Sequence, residues 1–334
     1  MLSLKRSNRM ANIVIDDYVV RIVENKGSTL DSVQMLAERP LDAGLIENGK
    51  IIDEIGFYEF MKVLVKECGL KTCDCRFNVP NALVIMRRVE FPAELTGEAV
   101  RDHFLMEIGK SIHLPFQNPV LDIHIHDEFV GEEQQVGTLF AASEEEVIKY
   151  ATTFEDCGMR TVAADVQPLG VYRYFFNGDN LQPSRIYLFL ELNLTSTNLS
   201  IFHENRIEFM RFQHVDILED DWKSDTKYTK WINWTYQGDE MNLLGMMEDQ
   251  LNELDRIMNF YRFSQHGGEK QVDEIIVTGD SPDLAAFVRK IENRYDLPVR
   301  YIHEIMTEAD EEPVGAAFIP ALGLALKGGT FDAS

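Results

Sequence analysis

The chain is poor in the residues that would cross-link it or let it hold an anion. Its four cysteines, Cys68, Cys73, Cys75 and Cys157, are too sparse in 334 residues for a disulfide framework, which points to a reducing compartment. Cys68, Cys73 and Cys75 lie close together, but they lack a paired C-x-x-C arrangement and no nearby histidine completes a ligand set, so no metal is expected. No apolar run approaches the roughly 20 residues that span a bilayer. The best, residues 314–326, is short and contains Pro320. Lys5, Arg6 and Arg9 are followed by no sustained apolar segment, so residues 1–10 are expected to form a loose tail and not a signal peptide. Basic residues are also few. With 32 Lys and Arg against 56 Asp and Glu, the net charge of -24 opposes binding to nucleic acid or to an anionic membrane through a general basic surface. The phosphate-cradling and nucleophile motifs G-x-x-x-x-G-K-[ST], G-x-G-x-x-G and G-x-S-x-G are missing as well, and no catalytic residue can be assigned.

What is present is an ordinary globular composition, 45% hydrophobic and 26% charged, in a length that suggests two domains at roughly 150 residues each. Residues 185–212 organise the rest. Three apolar, partly alternating runs are broken by polar turns at 193–198 and 204–205, the pattern of an antiparallel meander. The same layout opens the chain at 12–16, 19–24 and 33–37, which suggests two related half-domains. After the first meander, Asn48-Gly49 signals a two-residue hairpin. Helical spacing then starts at Asp53 and carries Ile55, Phe57, Phe60, Met61, Leu64 and Val65 to a stop at Gly69. Strands are expected at 76–79 and 83–91.

Residues 93–157 read as an insertion: a helix over 96–112, alternating strands over 120–126 and 135–141 around an acidic turn at 127–133, and a helix begun by a Ser143–Glu146 capping box. The main domain resumes with a strand at 160–165 and a helix at 168–176. In the polar and aromatic stretch 216–238, with Trp222, Trp231 and Trp234, no element can be assigned; Trp231 and Trp234 could share one face of a helical turn, with packing as their expected role. A long amphipathic helix over 240–264, a strand at 274–278, a helix at 282–295, a strand at 299–302, an acidic loop at 308–312 and a last helix complete the chain. The expected division is 11–92 with 158–183 as the first half, 93–157 as a small inserted α+β subdomain and 184–327 as the second half, with tails at 1–10 and 328–334. Asp165, at a strand end before a helix, suits chemistry or a helix N-terminus equally. His124 and His126 share a strand face with no third ligand nearby, as a packed or surface pair would.

Several stretches resemble the PilM family, actin-like cytoplasmic proteins of type IV pilus assembly. They are residues 40–53 (PLDAGLIENGKIID), the apolar strand 84–91 closed by Pro92, the segment 107–116 ending IHLPF with Leu121 and Asp122 after it, residues 254–261 (LDRIMNFY), residues 276–279 (IVTG) and residues 321–326 (ALGLAL). Their order along 12–327 carries the likeness. The resemblance implies an α/β fold of actin-like, FtsA- or PilM-type, built from two halves with an inserted subdomain. It also implies a cytoplasmic protein, peripheral at the membrane through its partners and without direct insertion. Where the family's phosphate turns carry glycine and an acid, this chain has Ile15-Asp16-Asp17-Tyr18-Val19, then Glu191-Leu192-Asn193-Leu194-Thr195, then Thr278-Gly279-Asp280-Ser281. Asp16, Glu191, Thr195 and Gly279 stand at vestigial nucleotide positions, and neither a cofactor nor ATP hydrolysis is expected. The implied function is that of an adaptor in a pilus or related competence or secretion machine. Its expected partners are the N-terminal cytoplasmic segment of a PilN-like single-pass membrane protein and other components of the platform. Phe116, Leu121, Ile123 and Ile125 are candidates for the partner groove, with subdomain core as their alternative. The rival readings are an active actin-fold ATPase and an FtsA-like membrane-linked filament protein.

Overall fold

A computed structural model describes residues 9–131, 133–178, 181–217, 219–226, 230–307, 309–310 and 312–329. Residues 1–8 of the tail expected over 1–10 and residues 330–334 of that expected over 328–334, with parts of the acidic turn and loop, lie outside the described residues. The chain opens with strands β1 (Met10–Asp16), β2 (Val19–Asn25) and β3 (Val33–Pro40), a small hairpin of β4 (Ile46–Glu47) and β5 (Lys50–Ile51), helix α1 (Glu54–Glu67) and strand β6 (Asp74–Val79). At the hairpin turn Asn48 and Gly49 have φ of 53° and 73°, as its sequence demands. Next come β7 (Ile85–Pro92), α2 (Glu98–Glu107), β8 (Pro119–Val130), β9 (Gln134–Ser143) and α3 (Glu144–Asp156), followed by β10 (Arg160–Val166) and α4 (Gln167–Gly178). The remainder is β11 (Tyr187–Leu192), β12 (Ser196–His203), β13 (Arg206–His214), β14 (Trp222–Asp225), β15 (Asn233–Tyr236), α5 (Glu240–Asn259), β16 (Glu274–Thr278), α6 (Leu284–Arg294), β17 (Val299–Tyr301), β18 (Glu304–Ile305), β19 (Val314–Gly315) and α7 (Ile319–Ala325).

Two five-stranded sheets have the same order: β3-β2-β1-β6-β10 and β13-β12-β11-β16-β17. In each, an antiparallel meander is extended by two parallel strands. Both sheets are covered on both faces, which is why their inner strands read as nearly continuous apolar runs. Ile13, Ile15 and Ile22 face α1 and α3, whereas Val14 and Val23 join the layer around α4 and α7. Likewise Leu188, Leu190 and Leu192 face α5 and α6, whereas Tyr187 and Phe189 turn to the shared layer. The core of the molecule is therefore the α4–α7 pair held between two sheets. Their backbones touch where Gly170 meets Gly323, since a Cβ built on Gly323 would stand 1.7 Å from the Gly170 carbonyl oxygen.

The structure departs from the sequence reading at several places. The strand expected over 83–91 does not join the first half's sheet, because β7 pairs with β9 in the three-stranded sheet β7-β9-β8. The helix expected over 96–112 stops at Glu107. Gly109 turns the chain with φ of 80°, and Ile112 returns beside Ile108. Ser143 is the N-cap of α3, but its side chain makes no capping hydrogen bond, so the box does not form. Ile55, on the apolar stripe of α1, is exposed. In 216–238, β14 and β15 form a two-stranded ribbon that brings Trp222 beside Tyr236. Trp231 packs on Phe318 and Trp234 on Tyr18, a packing role, although no helical turn carries them.

Candidate functional site: a filled cleft and an apolar groove

The cleft between the halves is built from the turns that join equivalent strands. Asp16 ends β1, Glu191 lies in β11, Thr195 sits in the turn to β12, and Gly279 follows β16. The fold gathers all four at the facing ends of the two sheets. Gly279, with φ of 131°, lies so close to β11 that a Cβ would come within 2.1 Å of the Leu192 oxygen; the Ser281 N–H donates to the same oxygen at 3.2 Å. Asp17 does not face the cleft centre: its carboxylate accepts the backbone N–H groups of Asn48 and Gly49 at 2.7 and 2.9 Å. Glu191 accepts from the Gln167 side-chain amide at 2.9 Å.

The centre of the cleft is filled by protein. The Tyr18 hydroxyl donates to both Asp280 oxygens at 2.8 and 2.7 Å. The Arg21 guanidinium, 4% exposed, lies 2.5 Å from Asp280, 3.2 Å from Glu38 and 3.5 Å from Asp16. The space remaining beside Asp16, Thr195 and Asn81 is about 20 Å³. That is room for one water molecule and is far below the roughly 300 Å³ where small-molecule sites begin. In this arrangement the space is too small for a nucleoside triphosphate. Asp280 stands in the third turn of the sequence pattern, but nothing there marks its partner Arg21 except that it is a lone cation inside the apolar run of β2.

Burial leaves two of these acids reluctant to ionise. The Glu191 carboxyl is pushed up to about 8, first by burial, with its bond from Gln167 pulling the other way. Asp16 is pushed up to about 7, first by burial, with Arg21 opposing and Asp280 and Asp17 reinforcing. In both cases the folded protein binds a proton that the unfolded chain releases near pH 4, so the stability from these groups is present at low pH and lost as pH rises through about 7 to 8. The melting temperature is expected to fall between about pH 5 and pH 8. Glu191→Gln should flatten that slope in thermal melts at constant ionic strength. Parallel curves for the two proteins would contradict the assignment.

A second feature lies on the other side of the first half. Strands β8 and β10 are each the outermost strand of their sheets, and between them runs an apolar groove of about 250 Å³. Val120, Phe140 and Ala142 line it from the inserted sheet, Val147 from α3, and Ala164, Val166 and Leu169 from the main domain. Asp122, His124, Asp165 and Lys327 are polar points in its walls. Of the four partner candidates, Leu121 reaches this groove. Phe116 and Ile123 pack against the subdomain core, and Ile125 borders a larger polar groove beside β13. The alternation in β8 was legible, but apart from Leu121 the β8 residues that line the groove, Val120, Asp122 and His124, lie on the opposite face.

The remaining candidates have structural roles. Asp165 binds the fully buried Arg173 at 2.8 Å and Lys327 at 3.2 Å. His126 accepts or donates a hydrogen bond with Thr138 at 3.0 Å, and burial lowers its ring to about 4. Cys73 and Cys75 are buried, and burial pushes the Cys75 thiol up to about 11. Among the described residues no group of three or more His, Cys, Asp or Glu is placed to hold a metal ion.

Two halves of one topology, facing across a cleft and carrying a subdomain inserted in the first, define an actin-like fold. The chain belongs to the type IV pilus assembly protein PilM family, whose pattern matches residues 13–216. The fold is similar to that of a PilM–PilN type IV pilus biogenesis complex, at 18% identity over 95% of this chain and 97% of that chain, with a TM-score of 0.75. It is also similar to the ethanolamine utilization protein EutJ from Carboxydothermus hydrogenoformans, at 9% identity over 96% and 90% of the two chains, with a TM-score of 0.50. No curated protein matches the sequence. Among the described residues no helix is long and apolar enough to cross a membrane.

Proposed function

We propose that the protein is a non-hydrolysing adaptor of a pilus assembly platform. In this reading its groove holds the extended N-terminal cytoplasmic segment of a PilN-like single-pass membrane protein, which keeps the adaptor at the cytoplasmic face of the membrane. The observation that carries the reading is the groove between two unpaired strand edges. An extended peptide can add its main-chain hydrogen bonds to a free edge, while alternate side chains enter apolar pockets. On β10, Val162 and Ala164 are exposed, so that edge is accessible from the groove. The family membership and the PilM–PilN relative support the choice of occupant.

The test is a fluorescence titration with a labelled peptide of the partner's first dozen or so residues. Ala164→Arg, a change at an exposed position, should fill the groove mouth and weaken binding about 100-fold, or about 3 kcal/mol, without lowering the melting temperature. A folded wild-type protein that binds no peptide would sink the proposal. Steady hydrolysis of Mg-ATP by pure protein, abolished by a cleft substitution, would favour the ATPase reading instead.

A further inference from the structure

We infer that the two halves of this chain are clasped by their own side chains, centred on Arg21 and Asp280, in the place where actin-like folds close around a nucleotide. Arg21 belongs to β2 in the first half, and Asp280 to the turn after β16 in the second. Their ion pair is one of several links across the cleft. The Tyr18 hydroxyl donates to Asp280 across the cleft, and the backbone N–H of Leu194, from Asp280's own half, holds the same carboxylate in place at 3.2 Å. Glu38, bound to Arg21 through one oxygen, accepts the backbone N–H of Ile232 from the second half through the other at 2.5 Å. The Trp234 ring stands edge-on to Tyr18 with centroids 5.4 Å apart.

The chemistry of this cluster is that of an internal counter-ion. Asp16, Glu38 and Asp280 converge on a single guanidinium, whose planar fork serves carboxylates from both halves at once. A bound metal–phosphate group would supply the same neutralising link between halves. Here the cation is covalently part of the first half, and the surplus of carboxylate repels any phosphate brought to it. Asp280 is held by Arg21, Tyr18 and Leu194 together, so swinging it aside would break all three bonds and take the shortest of its carboxylate contacts from a guanidinium with almost no access to water. Closure of the cleft is thus a fixed property of the chain, and, on the function proposed above, peptide binding in the groove is not gated by nucleotide.

Hydrogen–deuterium exchange on the full chain tests the clasp. Backbone amides in 15–22, 192–196 and 278–282 should exchange at the same rate with and without millimolar Mg-ATP, and the melting temperature should not move. Tyr18→Phe, which removes one hydroxyl, and Asp280→Asn, which keeps the shape but discharges the pair, should each speed exchange in those segments about tenfold or more while the inserted subdomain keeps wild-type rates. If Asp280→Asn fails to fold, Tyr18→Phe carries the test alone. Slower exchange or a higher melting temperature with Mg-ATP would overturn the inference, as would wild-type exchange rates in the folded variants.

Discussion

Gly323→Ala should cost about 3 kcal/mol or more, because the added methyl has no space to enter and nothing flexible to displace. A Cβ at this position would lie 1.7 Å from the Gly170 oxygen and 2.3 Å from its carbonyl carbon, so the obstruction is backbone of α4 and not the tip of a side chain. Relief requires α4 and α7 to separate. Those helices form the layer on which both sheets rest, and their contact also packs Leu169, Tyr172, Ile319 and Leu322. Separation therefore loosens both halves together, and the loss should appear in urea unfolding as a lower midpoint for the whole transition. Gly245→Ala is the matched control. That glycine is exposed inside α5, nothing lies within 4 Å of its Cβ, and alanine there should be neutral or stabilising by up to about 1 kcal/mol. Similar losses at the two glycines would show that the close helix crossing has no special role.

Asp165→Ala is expected to be as damaging, at about 3 to 5 kcal/mol, for an electrostatic reason. Arg173 is wholly buried on α4, and the Asp165 carboxylate lies 2.8 Å from its guanidinium while also meeting Lys327 at 3.2 Å. Removing the acid takes away the carboxylate 2.8 Å from a wholly buried cation, so less of the desolvation penalty already incurred is offset. The double replacement Asp165→Leu with Arg173→Met removes both charges. It should recover a substantial part of the loss in the same unfolding experiment, because apolar isosteres of a buried pair are often tolerated. A double variant no more stable than Asp165→Ala would mean that the carboxylate acts through other partners. Because Asp165 also lines the groove, peptide titration of the folded double variant separates its structural role from any contact with the partner.

Much of the fold was legible because its signals are local. The Asn48-Gly49 turn and both meanders depend on residues within a few positions of each other. So does the helix from Glu240, although its last turn widens into a π-helix over Phe260–Gln265. The strand at 85–92 was legible as a strand but not as a member of the inserted sheet, since an apolar run carries no label for its neighbour. The ribbon of Trp222–Asp225 and Asn233–Tyr236 escaped notice because each strand is short and stabilised by packing on the second half's core. In β8 the alternation was read correctly, yet both faces are used, one for the subdomain core and one for the groove, and periodicity alone cannot rank them.

By itself the sequence determined a duplicated meander, an insertion within the first half, an excess of acidic residues and enough ordered motifs to indicate the PilM family. It also marked the turns at Asp16, Glu191, Thr195 and Gly279 as departures from a phosphate site. Only the tertiary structure decided what fills that site, because Arg21 and Asp280 are 259 residues apart and meet only when two sheets face each other across the α4–α7 layer. The groove was settled in the same way. Its walls are the free edges of two sheets, and which strand lies at an edge follows from long-range pairing, whose hydrogen bonds are the same for every residue and leave no local mark in the sequence.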